Sequence, residues 1–461
     1  MKIQPPVKKN DELTLTIDSL SLEGQGIGRH AGYILFVPGA LPGETCRVHV
    51  IKVTSGYGVA KLLSVETPSP DRVEPLCPAA ATCGGCALQH LSYPAQLRYK
   101  EQSVVDALTR LGGFTDLPMR PILGMEEPWR YRNKGSFPFG TQDGAVVYGF
   151  FAQRSHRLIP VTDCPIQNER AMEILGRIAE WANTYGITAY DESTGKGQLR
   201  HAMVRTASDG SMMAVVVTSS QRLRQREALI ELLSDVDSLY HNVNPHQTNV
   251  IFGDEFHLLS GSPVIQEELC GLSFQVSPQS FLQVNHAQTE KLYEAAVSLL
   301  APTLQETVAD AYCGIGTISL LLARQAGRVL GIEYVAPAVE NARDNARRNG
   351  LTNASFFCGD AAELLKKLAK EEPIHALVTD PPRKGMDEPM VDAILSSKIP
   401  RIVYVSCNPA TLARDCKALA AGGYVLKAVQ PVDMFPHAGH VETVVLMTKK
   451  YINRNFEETK I

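Results

Sequence analysis

The sequence contains no apolar run of about 18 residues, so no segment is predicted to span a membrane. It also carries little net charge. The 45 Lys and Arg against 49 Asp and Glu leave −4 over 461 residues. That excludes a nucleic-acid binder that is basic throughout, but not one with a local basic face. Residues 1–6 lack the apolar core of a signal peptide, and a cytoplasmic location is expected. Internal repeats are absent. Glycine (35) and proline (28) stay near ordinary usage, which excludes collagen-like and low-complexity chains. The ten cysteines are spread too thinly for a small secreted disulfide scaffold.

What is present is an ordinary globular mix, 44% hydrophobic and 20% charged, long enough for about two to four domains. Residues 11–66 read as short alternating strands broken by glycine turns, the pattern of a small barrel. Thr67-Pro68-Ser69-Pro70 reads as a linker. Residues 71–262 are mixed, with predicted helices at 96–111 and 171–185 among strands. Basic residues cluster at Arg130, Arg132 and Lys134, and at Arg154, His156 and Arg157. Solvated charge is the simplest reading of both clusters. From 263 helix and strand alternate, which predicts a doubly wound, mainly parallel sheet with ligands at the carboxyl ends of its strands. The expected division is therefore 1–66, 67–262 and 263–461.

Asp310-Ala311-Tyr312-Cys313-Gly314-Ile315-Gly316-Thr317 joins the first of these strands to its helix. It is not GxGxxG, so a pyrophosphate cradle is poorly supported. Glu333 ends the second strand, where a carboxylate suits a ribose diol. Asp360 follows the third, placed for an adenine edge. Acids at successive strand ends would repel phosphates. They suit a nucleoside cofactor with a cationic centre, and S-adenosylmethionine fits. Taken singly, each acid reads equally well as a cap for the next helix. Asp380-Pro381-Pro382-Arg383 follows the fourth strand, Ser406-Cys407-Asn408-Pro409 ends the fifth, and Glu442 stands at the mouth of the last. Methylating a pyrimidine at C5 needs a thiolate to attack C6, a base to remove the C5 proton, and a methyl donor. Cys407, Glu442 and the pocket from Asp310 to Asp380 supply all three.

Four stretches resemble the RNA uracil-5-methyltransferase family: Phe281-Leu282-Gln283-Val284-Asn285, Asp380-Pro381-Pro382-Arg383, Ser406-Cys407-Asn408-Pro409 and His440-Val441-Glu442-Thr443. The resemblance implies that Cys407 is the nucleophile, that Glu442 is the base, and that Gln283, Tyr312, Glu333 and Asp380 bind the cofactor. The family often has Phe where Tyr312 stands, which keeps the ring.

Cys77, Cys83, Cys86 and Cys164 offer four thiolates. Spacing alone leaves zinc and an iron–sulfur cluster equally open, with a redox Cys-x-x-Cys as a further alternative. The set resembles the 4Fe-4S site of the 23S ribosomal RNA members of the same family. Those members begin with a small barrel called TRAM, which residues 1–66 resemble. Bacterial transfer RNA members generally lack both features, although some archaeal ones carry them. The implied architecture is an N-terminal TRAM barrel, a mixed α+β central domain with the iron–sulfur site, and a C-terminal Rossmann-like methyltransferase domain. The implied partner is 23S rRNA, with no membrane and no obligate protein partner. The rivals are a transfer RNA uracil-5-methyltransferase, and a non-catalytic cluster-bearing RNA-binding protein in which Cys407 and Glu442 are incidental.

Overall fold

The structure, a computed structural model, describes residues 5–152 and 155–450. Arg154 lies outside the described residues. No helix among them is long and apolar enough to cross a membrane.

The chain opens with β1 (Glu12–Leu20), β2 (Gly26–His30), β3 (Tyr33–Val37), β4 (Thr45–Val53) and β5 (Tyr57–Thr67), which close into a barrel in the order β1-β2-β3-β5-β4. Alternation along β3 and β4 turns Leu35, Val37, Cys46, Val48 and Val50 into the barrel core, the period-2 pattern that the sequence displays. Helix α1 (Tyr93–Arg110) follows, started by Pro94 in its first turn, where the missing N–H costs nothing. Its buried face, Val104, Ala107 and Leu108, joins the core of the C-terminal sheet, not that of the segment in which it lies.

The mixed stretch forms one seven-stranded sheet. Its elements are β6 (Lys134–Gln142), β7 (Ala145–Phe151), β8 (Leu158–Pro160), α2 (Glu169–Thr184), β9 (Leu199–Thr206), β10 (Met212–Thr218), α3 (Arg226–Leu232), β11 (Ser238–Val243) and β12 (Glu255–Gly261), in strand order β12-β11-β10-β9-β6-β7-β8. One face packs on α2 around Trp181. The other contributes Met203, Met213, Val215 and Val217 to a core shared with the C-terminal part. The hairpin of β13 (Ile265–Leu269) and β14 (Leu272–Val276) adds Phe274 and Val276 to that core.

The remainder alternates: α4 (His286–Leu300), β15 (Thr307–Ala311), α5 (Thr317–Ala323), β16 (Arg328–Glu333), α6 (Ala336–Arg348), β17 (Ala354–Cys358), α7 (Ala361–Glu371), β18 (Ala376–Thr379), α8 (Glu388–Ser397), β19 (Arg401–Ser406), α9 (Pro409–Ala421), β20 (Tyr424–Val432) and β21 (Glu442–Lys449). The sheet order is β17-β16-β15-β18-β19-β21-β20, parallel except for β21, which runs antiparallel to β19 and β20. Its strands are buried on both faces and read as near-continuous apolar runs, as a helix-covered parallel sheet requires. The order reverses between β15 and β18, and such a switch point is where ligands bind.

Candidate active site

A cavity of about 1230 Å³ opens at the carboxyl ends of these strands. Gln283, Tyr312, Glu333, Asp360, Asp380, Cys407 and Glu442 all line it, so residues spread over much of the chain meet in one place.

The β15–α5 loop forms its floor. Tyr312 holds a left-handed φ of 65°, a conformation that costs a non-glycine residue energy and marks a site held by its surroundings. Gly316 caps α5 at φ 86°, where any side chain is disfavoured. Glu333 grips this loop: one carboxylate oxygen accepts from the Gly314 N–H at 3.0 Å and the other from the Val335 N–H at 2.9 Å. Asp360 is the N-cap of α7, accepting from the Glu363 N–H at 3.0 Å. The capping role that the sequence left open is thus the one its Oδ1 fulfils, while the residue still borders the cavity.

Three acids crowd the centre. Burial pushes Asp380 and Asp310 up to about 7 and Glu442 up to about 8, the last helped by the charge of Asp380 and opposed by Arg383. Asp310 accepts from Ser319 Oγ at 2.5 Å. The Asp380 and Glu442 carboxyls have no hydrogen-bond partner among the described residues and face the cavity. Cys407 is half-buried. Burial and Glu442 raise its thiol, and Arg383 pulls it back down. Arg383 lies 3.2 Å from His440 Nε2. Three buried acids at the centre of the cavity, with the Arg383 guanidinium acting on the thiol, suit a positively charged ligand and a thiolate together.

Sequence reasoning missed how Glu442 is held. It follows the loop 433–441, whose backbone is captured from distant parts of the chain. Gln288 Nε2 donates to Asp433 O at 2.9 Å, Asn285 Nδ2 to Met434 O at 3.0 Å, Lys100 Nζ to Phe435 O at 2.8 Å and Tyr131 Oη to Pro436 O at 3.0 Å. The His437 N–H donates to Gln96 Oε1 at 2.8 Å, and its ring stacks on Trp129 at 3.8 Å. Asn285, the last residue of the Phe281–Asn285 motif, was the one available signal.

The four candidate metal ligands lie to one side. Cys77, Cys83, Cys86 and Cys164 are close enough that Cys77, Cys83 and Cys164 each push Cys86 upward, after burial. Gly85 of the same loop lines the cavity. Yet no group of three or more His, Cys, Asp or Glu side chains among the described residues is arranged to hold a metal ion. The geometry therefore departs from the expected ready-made metal centre. Mutual influence extends over several ångströms, whereas one zinc needs all four sulfurs at about 2.3 Å.

Residues 265–450 match the tRNA (uracil-5-)-methyltransferase family, and residues 6–63 match the TRAM domain. An RNA methyltransferase of Halalkalibacterium halodurans is 46% identical over 97% of this chain and 99% of its own. One of Listeria monocytogenes is 46% identical over 96% of this chain and 98% of its own. The chain belongs to this uracil-5-methyltransferase family. It is accordingly an RNA methyltransferase. Among solved structures, the tRNA (uracil-54, C5)-methyltransferase of Pyrococcus abyssi, in complex with S-adenosyl-L-homocysteine, superposes with a TM-score of 0.76 at 27% identity, covering 95% of this chain and 100% of that one.

Proposed function

We propose that the chain methylates C5 of a uridine in 23S ribosomal RNA, with S-adenosylmethionine as donor, through a covalent bond from Cys407 to C6 of the base. The observation that carries the reading is the convergence of Cys407, Glu442 and Asp380 on one cavity. The barrel and central sheet grip the RNA, and residues 263–461 carry out the transfer. Bound in the acidic pocket, S-adenosylmethionine supplies an electrophilic methyl group.

The chain's own part follows from its chemistry. Cys407 Sγ bonds to C6, and the electron pair of the C5–C6 bond moves to make C5 a nucleophile. Arg383, which favours the charged thiol, stabilises the attacking form. After C5 has taken the methyl group, Glu442 accepts the C5 proton. The released pair re-forms the C5–C6 bond and expels the thiolate. Gln283, Tyr312, Glu333, Asp360 and Asp380 are the cofactor-binding wall. Closing the cavity around a single base requires the uridine to leave its stack.

Ribosomal rather than transfer RNA is favoured by the pairing of the barrel with the four cysteines. We infer that Cys77, Cys83, Cys86 and Cys164 hold a 4Fe-4S cluster. The support is the donor set itself, four cysteines of which three act on Cys86, the last of the four followed by Pro165, as recurs at such sites. Protein prepared without air should contain about four irons per chain. A zinc-loaded, colourless preparation would overturn that inference.

The deciding experiment uses labelled S-adenosylmethionine with ribosomal and transfer RNA. Methyl transfer to C5 of a uridine in 23S RNA is expected, and Cys407→Ala should abolish it while cofactor affinity stays near wild type. Turnover by Cys407→Ala would sink the covalent mechanism. Exclusive labelling of transfer RNA would move the substrate assignment.

A further inference from the structure

The basic stretch before β6 is not solvated charge. Arg130 is committed to Asp163 at 2.7 Å and Glu169 at 3.3 Å. Arg132 and Lys134 are not committed to any acid. Arg132 Nε donates to Lys134 O at 3.1 Å, and its two terminal nitrogens have no partner among the described residues. Lys134 opens β6 directly opposite Arg205 of β9. Its Nζ has neither a carboxylate nor a carbonyl in bonding reach among the described residues. Burial, then Arg205, then Arg132, push its ammonium down to about 8.

Arg205 cannot relieve this. Its terminal nitrogens donate to Ser277 O and Ser280 O. The one acid that offsets its charge, Glu267, also pairs with His286 at 3.0 Å. Three cations thus face one another with a single, shared acid. A half-buried ammonium beside two guanidinium groups is costly unless an anion answers it.

The position of the group says which anion. Asn133, between the two free cations, donates its N–H to Val284 O at 2.8 Å and its side chain to Gln283 O at 3.4 Å. Arg132 itself lines the cavity. Arg132 therefore stands at the wall of the chamber that would receive the base, with Lys134 two residues along the chain behind it.

We propose that Arg132 and Lys134, braced by Arg205, form a binding site for a backbone phosphate of the RNA next to the uridine that enters the cavity. The inference rests on the RNA-methylating reading above and deepens it. Such a contact sets the register of the strand without reading its sequence. It fixes which nucleotide stands over the cavity.

The test is the salt dependence of oligouridylate binding by the full chain. Neutralising one phosphate on a single strand contributes about 0.7 to the slope of log affinity against log salt. Lys134→Gln and Arg132→Gln should each weaken binding several-fold and flatten the slope by about that amount. Lys134→Arg should keep it. S-adenosylmethionine affinity should stay near wild type in all three, and neither glutamine variant should melt below wild type, because each removes a cation that no acid answers. Because a variant can lose affinity by misfolding, uncharged methylphosphonate linkages provide the second arm. They should weaken wild-type binding more than binding by Lys134→Gln. An unchanged slope in both glutamine variants, or a fall in S-adenosylmethionine affinity without one in RNA affinity, would overturn the site. If the slope changes as stated but no uridine is methylated, the site stands and the proposed reaction fails.

Discussion

Glu442 is where the chemistry is most exposed to test. A base that takes the C5 proton must be ionised, yet burial and Asp380 hold Glu442 up at about 8. Glu442→Gln keeps the size and removes the proton acceptor. It should stall the reaction after methyl transfer and accumulate a methyl-labelled RNA–protein adduct that survives denaturation. An inactive variant without adduct would reassign the base. The same burial makes a pH prediction. Asp310 and Asp380 sit at about 7 and Glu442 at about 8, so the empty protein loses stability as pH rises from the unfolded carboxyl value of about 4 toward these folded values, and above them its pocket is negatively charged. A cationic ligand answers that charge and a neutral one does not. The melting-temperature rise given by S-adenosylmethionine should therefore grow between about pH 6 and about pH 9. The rise given by S-adenosylhomocysteine, whose sulfur is uncharged, should grow much less. Equal pH dependence for the two would mean that the three acids do not face the sulfonium.

At the scale of elements, the loop 433–441 shows what holds Glu442, the proposed base, in place. Lys100 on α1 and Asp433 are both fully buried and meet at 2.5 Å, and the same ammonium donates to Phe435 O. Asp433 Oδ2 has no hydrogen-bond partner among the described residues, so Lys100 is the one cation that answers this carboxylate there. Removing the cation would leave a buried carboxylate alone, at a cost of about 3–5 kcal/mol. Lys100→Met should lose about that much in chemical denaturation, and its kcat should fall more than its affinity for S-adenosylmethionine. Adding Asp433→Asn should recover part of both. A Lys100→Met protein as stable as wild type would show that the pair does not hold the loop. Here lies the division between what could be read in the sequence and what could not. Cys407, Asp380 and Glu442 were legible because each follows a parallel strand or opens an adjoining one, and the alternation of helix with strand carries them to one edge. Lys100 was illegible. A lysine in an amphipathic helix reads as solvent-facing, and its partner is 333 residues away. Asp360 lay between the two cases. An acid after a strand and before a helix fits a cap and a ligand equally, and the structure shows the cap, a 3.0 Å bond from the Glu363 N–H to Oδ1, on a residue that also borders the cavity.

Over the whole molecule, the cavity divides into two sides with different origins. Tyr312, Glu333, Asp360 and Asp380 come from the C-terminal sheet, whereas Gly85, Tyr131, Arg132 and Ile166 come from the cysteine loop and the central region. The barrel reaches the same place: a side chain added at Gly439, in the loop before Glu442, would stand 3.2 Å from Leu22 O. The two sides should therefore fail separately. Cys77, Cys83 and Cys86 lie on one short loop and Cys164 joins it from beyond β8, so a cluster would tie that loop to the central sheet. Stripping iron from the proposed cluster with a chelator, under conditions that leave the chain folded, should loosen the wall at Gly85. RNA affinity and turnover should then fall, while S-adenosylmethionine affinity holds, since its wall is built on strands that the cysteines do not touch. Cys83→Ser should behave the same way, more weakly if three thiolates retain part of the cluster. Titration of both ligands before and after chelation decides the matter. Parallel loss of both affinities would mean that the cluster stabilises the whole chain, and that the two sides of the cavity are a single unit.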